Sequence, residues 1–215
     1  MIRWIRFAGR PDGTPAAEFA AGWPAEVAPA ALAPADARPS RLSAATVLPG
    51  FDDAPHQAVA IAWFTGEERL RRFLAWWPED SGSVEIVTAE AVLRGADWLH
   101  ERWSRGVPKL KHMALARRAD GLTPQEFSAR WRAHAGTAAT GVPIPDTARG
   151  LAYVQCRPLV DGAGPYDAVN EAYFDDEESL RHRDAWLRAN LPGDDDPLFA
   201  RPRFLALREQ LIPIP

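Results

Sequence analysis

Apolar positions in this chain fall in short strand-like runs, interrupted by stretches where they recur every three or four residues. Residues 109–118 make a mixed run suited to a strand, and Asp120-Gly121 is a turn signal. Thr123-Pro124-Gln125-Glu126 reads as a helix start: a capping Thr, Pro at the first helical position, and Glu three residues on to complete a capping box. Phe127, Trp131 and His134 then share one helix face. Beyond the turn-rich Gly141–Pro145, residues 151–156 read as a second strand, 168–174 as a third, 175–191 as a second helix and 204–212 as a fourth strand. The order is βαββαβ, the ferredoxin-like unit. The first part of the chain gives the same order: strand 2–8, helix 15–27, strand 42–48, strand 57–64, helix 66–77 and strand 84–93. An Ala- and Pro-rich loop at 24–40 varies the theme, and 95–107 connects the two parts with a short helical segment.

Residue identities repeat along with the pattern. Asp12-Gly13, Glu18-Phe19 and Trp23 recur as Asp120-Gly121, Glu126-Phe127 and Trp131, at a constant offset of 108. Ala58-Val59, Phe64, Glu67-Glu68, Leu70 and Ala75-Trp76 recur as Ala168-Val169, Phe174, Glu177-Glu178, Leu180 and Ala185-Trp186, at an offset of 110. One two-residue insertion reconciles the offsets, so the expected organisation is a tandem pair, residues 1–104 and 105–215. Each unit has a sheet with helices on one face only. Two bare faces can bury each other, which predicts an α+β fold in which two tandem ferredoxin-like βαββαβ domains pack as a pseudo-dimeric α+β barrel around a cavity.

Composition narrows the partners. Across 215 residues, a net charge of −4 without a basic run argues against a nucleic-acid surface. Cys156 is the sole cysteine, which excludes an intramolecular disulfide and a thiolate cage. No stretch is long or apolar enough to span a membrane, and a cytoplasmic location is the default expectation. The spacing shows no metal motif and no phosphate loop, so no cofactor is expected. The nine tryptophans suit both a core and a pocket for flat ligands.

The string Arg117-Arg118, Asp120-Gly121-Leu122-Thr123-Pro124-Gln125-Glu126-Phe127 and Trp131, then Tyr153-Val154-Gln155, then Tyr166-Asp167-Ala168-Val169, Glu171 and Tyr173-Phe174-Asp175-Asp176, resembles the EthD family of dimeric α+β barrels. The likeness spans residues 109–212, and the first unit shares it more weakly through the repeat. The family's Trp-x-x-x-His spacing is one residue shorter here, Trp131 to His134. The resemblance implies the barrel fold but no single reaction, since related barrels include cofactor-free monooxygenases, cyclases, decarboxylases, dehydratases and isomerases.

Strand alternation nominates the chemistry. Placing Met113 and Leu115 against the helices turns His112 into the barrel, with Trp4 and Arg6 at the matching positions of the first unit. The related barrels favour an inward Glu171 and Tyr173, matched by Trp63. His112 and Glu171 are the acid/base candidates, and Tyr153 and Arg6 the groups to hold negative charge. Trp4, Trp63, Tyr173, Gln155 and His134 would line the substrate. The expected function is a cofactor-independent enzyme moving protons on a hydrophobic, aromatic or polyketide-like molecule, by cyclisation, dehydration, decarboxylation or isomerisation, with oxygenation as a variant. The alternative is a non-catalytic carrier of such a ligand in the barrel cavity. Fused pairs could further associate as a homodimer. For His112 and Glu171, structural roles (a hydrogen-bonded histidine, a rim salt bridge) stand beside the catalytic ones.

Overall fold

Strands Ile2–Ala8 (β1), Arg41–Val47 (β2), Ala58–Phe64 (β3), Ser83–Arg94 (β4), Lys109–Arg118 (β5), Ala152–Pro158 (β6), Ala168–Phe174 (β7) and Phe199–Leu211 (β8) close into one antiparallel barrel in the computed structural model. The structure describes residues 1–51, 53–78, 82–133, 143–160, 164–190 and 198–215. Around the barrel the order is β1-β3-β2-β8-β5-β7-β6-β4. The first four strands pair among themselves and so do the last four. Two seams close the circle: β2 against β8, with Ser43 opposite Leu211, and β4 against β6, with Glu90 opposite Cys156.

Helices Ala16–Val27 (α1), Glu67–Trp76 (α2), Ala96–Ser104 (α3), Pro124–Ala133 (α4), Asp146–Arg149 (α5) and Glu177–Asn190 (α6) accompany the strands. The capping box forms as read: the Thr123 hydroxyl accepts the Glu126 N–H at 3.2 Å, and the Glu126 carboxylate accepts the Thr123 N–H at 2.9 Å. Helix α1 turns Phe19, Trp23 and Val27 onto the outside of the barrel, where Ala44, Ala58, Ala60 and Ala62 leave room for the rings. The Trp23 indole donates to the Val59 carbonyl at 3.2 Å. Helix α2 lays Leu70 and Phe73 beside Trp4, α4 sets Phe127 and Trp131 on Ala116 and Ala168, and α6 buries Leu180 and Leu187. With helices outside and a packed lumen inside, the strands are buried on both faces, and every residue of β3 is inaccessible.

The expected cavity is instead a filled interior. Ile5, Phe7, Ile61, Trp63, Met113, Leu115, Val154, Val169, Tyr173, Leu205 and Leu207 form one core along the barrel axis, all at 0% exposure. Helix α3, the link between β4 and β5, plugs one end of that core. Its Leu99 is buried in it, Trp98 lies 6.3 Å from Tyr173 between ring centroids, and Trp103 lies 6.0 Å from Trp63. Gly95 leads into the plug at φ +71°, and a Cβ there would sit 2.3 Å from the Leu151 carbonyl oxygen, so only glycine permits this approach. Strand β8 begins five residues before the expected 204, because its pairing with β5 continues beyond a bulge to Ala200 opposite Arg117 and Phe199 opposite Arg118.

Candidate functional site

At the plugged end, the inward positions of all eight strands bring polar groups together inside the barrel. Glu171 on β7 accepts hydrogen bonds from Arg3 at 2.5 Å, Lys111 at 2.9 Å and the Tyr173 hydroxyl at 2.8 Å. Lys111 also reaches Glu209 at 3.1 Å, which accepts the Ser43 hydroxyl at 2.7 Å. Arg3 donates to Glu90 at 2.5 Å and to the Cys156 sulfur at 3.3 Å, and the Trp63 indole donates to Glu90 at 3.2 Å. Lys109 stands 3.9 Å from Glu209, and Arg41 stacks 3.9 Å above the Trp103 ring. Thr88 adds a buried hydroxyl from β4.

Four cations thus meet three carboxylates, Glu90, Glu171 and Glu209. Burying an isolated charge costs several kcal/mol, and here direct partners offset that cost. Burial alone would push the Glu171 carboxyl up, but Lys111 and Arg3 outweigh it and bring the pKa down to about 2. Glu209 is lowered in the same way, burial being overcome by Lys111 and Lys109. For Lys111, burial opposes the charge and Glu171 and Glu209 restore it, leaving the ammonium above its ordinary range. Burial and Glu171 raise Tyr173, and burial takes the Cys156 thiol up to about 12. Glu171, Glu209, Lys111, Tyr173 and Cys156 therefore each hold one protonation state around neutrality. The cluster is an electrostatic clamp.

Other nominated residues lie on the outside of the barrel. The orientation expected for β5 is reversed: Met113 and Leu115 point inward, while His112 points toward α6, 3.4 Å from Asp184 and beside Phe204. Burial drives the His112 pKa down to about 4. The matching Trp4 and Arg6 are likewise external. Trp4 packs on Phe73 and Trp77 and donates to Glu85 at 2.8 Å, and Arg6 lies over the Trp23 and Trp77 rings. On β6 the inward residues are Val154 and Cys156, so Tyr153 packs into the layer under α6 and Gln155 donates to the Trp131 carbonyl of α4 at 3.3 Å. Glu171, Tyr173 and Trp63 do face inward, within the charged cluster. His134 lies outside the described residues. On α6, Arg183 and Asp184 are both buried without pairing to each other: Arg183 donates to the Ala148 carbonyl at 2.9 Å, and Asp184 meets His112 and Arg188.

The opposite end of the barrel opens into a hollow of about 580 Å³ lined by Pro55, Leu115, Arg117, Asp120, Pro165, Tyr166, Ala200 and Arg203. At its edge the His56 Nε2 lies 2.6 Å from the Tyr166 hydroxyl, and Phe7, the last interior residue of β1, packs against both rings. His56 comes from the β2–β3 loop and Tyr166 from the segment entering β7. Both are half-buried. Burial lowers the His56 pKa and raises that of Tyr166, so the pair is neutral at pH 7. Among the described residues no group of His, Cys, Asp and Glu is arranged to hold a metal ion.

Residue typing overlooked His56, which sits alone in a loop, and treated Tyr166 only as part of a motif. One signal for the interior cluster was present in the sequence. Arg3 on β1 and Lys111 on β5 stand at the offset of 108 that relates the earlier matching motifs of the sequence.

No protein-family model matches the chain, and no curated protein sequence matches it. Solved structures do. A cyanide complex of a chlorite dismutase variant from Candidatus Nitrospira defluvii aligns over 99% of this chain and 91% of its own, at 12% identity with a TM-score of 0.50. A second variant of that enzyme aligns over 99% and 92%, at 11% identity with a TM-score of 0.48. At such identity the likeness is one of fold alone: a mixed α+β fold with a closed eight-stranded barrel. No described helix is long and apolar enough to cross a membrane.

Proposed function

We propose that this chain is a cofactor-independent enzyme that moves protons on a small hydrophobic molecule at the open mouth of the barrel. The observation that carries this reading is the 2.6 Å contact between His56 and Tyr166 at the edge of a hollow. In the tautomer with Nε2 unprotonated, the Tyr166 hydroxyl donates to it. A carbon acid beside a carbonyl, seated on the pair, passes its proton to the Tyr166 oxygen as the hydroxyl proton moves to Nε2. The result is a His56 imidazolium, a neutral tyrosine and a substrate enolate. Returning the proton to another atom of the enolate completes an isomerisation, and loss of a leaving group completes an elimination. Because burial disfavours the imidazolium, the proton is readily given back.

The same proposal takes residues 1–104 and 105–215 as fused EthD-like halves. The succession strand, helix, strand, strand, helix, strand runs through each half, with α3 added at the end of the first and the short α5 inserted in the second, and supports it. A hydrophobic ligand, a cytoplasmic setting and association of fused pairs belong to the proposal as well. The interior-carrier alternative is disfavoured by the filled lumen.

The test is deuterium incorporation at C3 of methyl phenylpyruvate in D2O, followed by NMR with the full chain. Incorporation above the uncatalysed rate that is lost in His56→Gln supports the enzyme. Equal rates with and without protein overturn it.

A further inference from the structure

The mouth of the barrel has a charge pattern that the proton relay does not use. Leu115 on β5 and Arg203 on β8 are opposed in register, and two residues further along β5 Arg117 is opposed to Ala200. Between these pairs β8 advances three residues while β5 advances two, so β8 carries a bulge. Bulges at barrel rims re-aim side chains. Leu115 and Leu205 point into the lumen, and Arg117 and Arg203 continue those inward rows past the rim. Both guanidinium groups therefore stand over the hollow that Tyr166, the partner of His56, lines. The Arg117 Nε donates to the Pro165 carbonyl at 2.7 Å, which fixes the direction of its fork. Arg203 makes no hydrogen bond or ion pair with another described residue. Among the described residues of the lining, Arg117 and Arg203 are the cations and Asp120 the carboxylate. Beneath them lie the apolar Leu115, Pro55 and Pro165.

We infer that Arg117 and Arg203 form an anchor for a substrate carboxylate, and that the ligand of this hollow is an aromatic or otherwise planar acid whose carbonyl end meets the His56–Tyr166 pair. This inference rests on the reaction proposed for that pair. Arginine suits the role, because its planar fork matches a carboxylate with two parallel hydrogen bonds and lies flat against a ring. The Pro165 contact pre-sets one fork, so less side-chain freedom is lost on binding.

The acid phenylpyruvate and its methyl ester separate this inference from the reaction itself, because the two share their carbon acid and differ in charge. Dissociation constants are read from chemical-shift titration, and C3 exchange is read in D2O. The acid is expected to bind about tenfold more tightly than the ester, the advantage of two exposed charge contacts. Arg117→Gln/Arg203→Gln is expected to remove that advantage, bringing acid and ester to the same affinity. Arg71→Gln/Arg72→Gln on α2 is the charge-matched control and is expected to preserve it. Equal affinity for acid and ester in the wild type overturns the anchor, as does an advantage that survives the double substitution. Acid-selective binding without exchange of either probe sustains the anchor and removes the proton-transfer reading. Ester exchange without acid selectivity does the opposite.

Discussion

His56 and Tyr166 are 110 residues apart in the chain, the offset that relates its later repeated motifs, and they touch, Nε2 to hydroxyl, at 2.6 Å. The β2–β3 loop and the segment entering β7 thus meet over the mouth of the barrel and contribute unlike groups there.

The pair's burial sets the pH dependence expected of catalysis. A base relay needs neutral His56, whose pKa lies below the ordinary 6.5 because burial penalises the imidazolium. The C3 exchange rate should rise with pH to a plateau, with its midpoint below 6.5. Tyr166→Phe should lower the plateau about a hundredfold, the scale of a lost proton-transfer group. A midpoint above 6.5, or an unchanged rate in Tyr166→Phe, contradicts the relay.

Glu171 is expected to act on stability. Glu171→Gln leaves Arg3 and Lys111 facing a neutral amide and should cost about 3 kcal/mol in urea unfolding. Folded Glu171 stays ionised down to about 2, whereas its ordinary value is 4.5. Its contribution is therefore complete above 4.5 and is lost as pH falls from there toward 2. The variant should lack that segment of acid sensitivity. An unfolding curve that superimposes on the wild type would show the clamp to be energetically idle.

His112 gives an acid limb at higher pH. Its folded pKa of about 4 lies below the ordinary 6.5, so as pH falls the unfolded chain takes up the proton first. The stability held by a neutral buried His112 is whole above 6.5 and drains away between 6.5 and 4. His112→Gln should flatten the melting temperature over that window and leave C3 exchange unaltered. A variant that melts with the wild-type pH profile would move the acid sensitivity to another group.

Two glycines flank the α3 plug and should respond differently to alanine. Gly95 and Gly106 both have positive φ, but a Cβ at Gly95 meets Leu151 and Ala152 closer than 3 Å, whereas at Gly106 nothing lies within 4 Å. Gly106→Ala should cost about 1 kcal/mol, the backbone penalty alone, and Gly95→Ala clearly more, because the plug must also shift. Equal losses in thermal unfolding would mean that the plug yields freely.

Most element boundaries were legible because turn and cap signals are local. Asp120-Gly121 and the Thr123–Glu126 box end one strand and start one helix with no reference to the rest of the molecule. The inward face of each strand was not legible. Alternation reports a face only when one side is wet, and β3 and β5 are buried on both sides. On β5 the usual inference was inverted, because Lys109 and Lys111 turn into the lumen while His112 lies under a helix. Such an interior follows from partners on other strands, and Arg3 finds Glu171 at a distance of 168 residues along the chain. His56 was hidden for a related reason: its meaning comes from a tyrosine in another loop.

The seam between β2 and β8 sets a timetable for biogenesis. Ser43 meets Glu209 across 166 residues of chain, so β2 emerges from the ribosome long before the strand that will cover its edge. Until then β2 presents unpaired backbone to any strand in reach, including those of sister chains on the same message. Pairing with β6 covers the edge of β4, and pairing with β8 covers that of β2. The interval of exposure to misassembly therefore runs from the release of β2 to the arrival of β8.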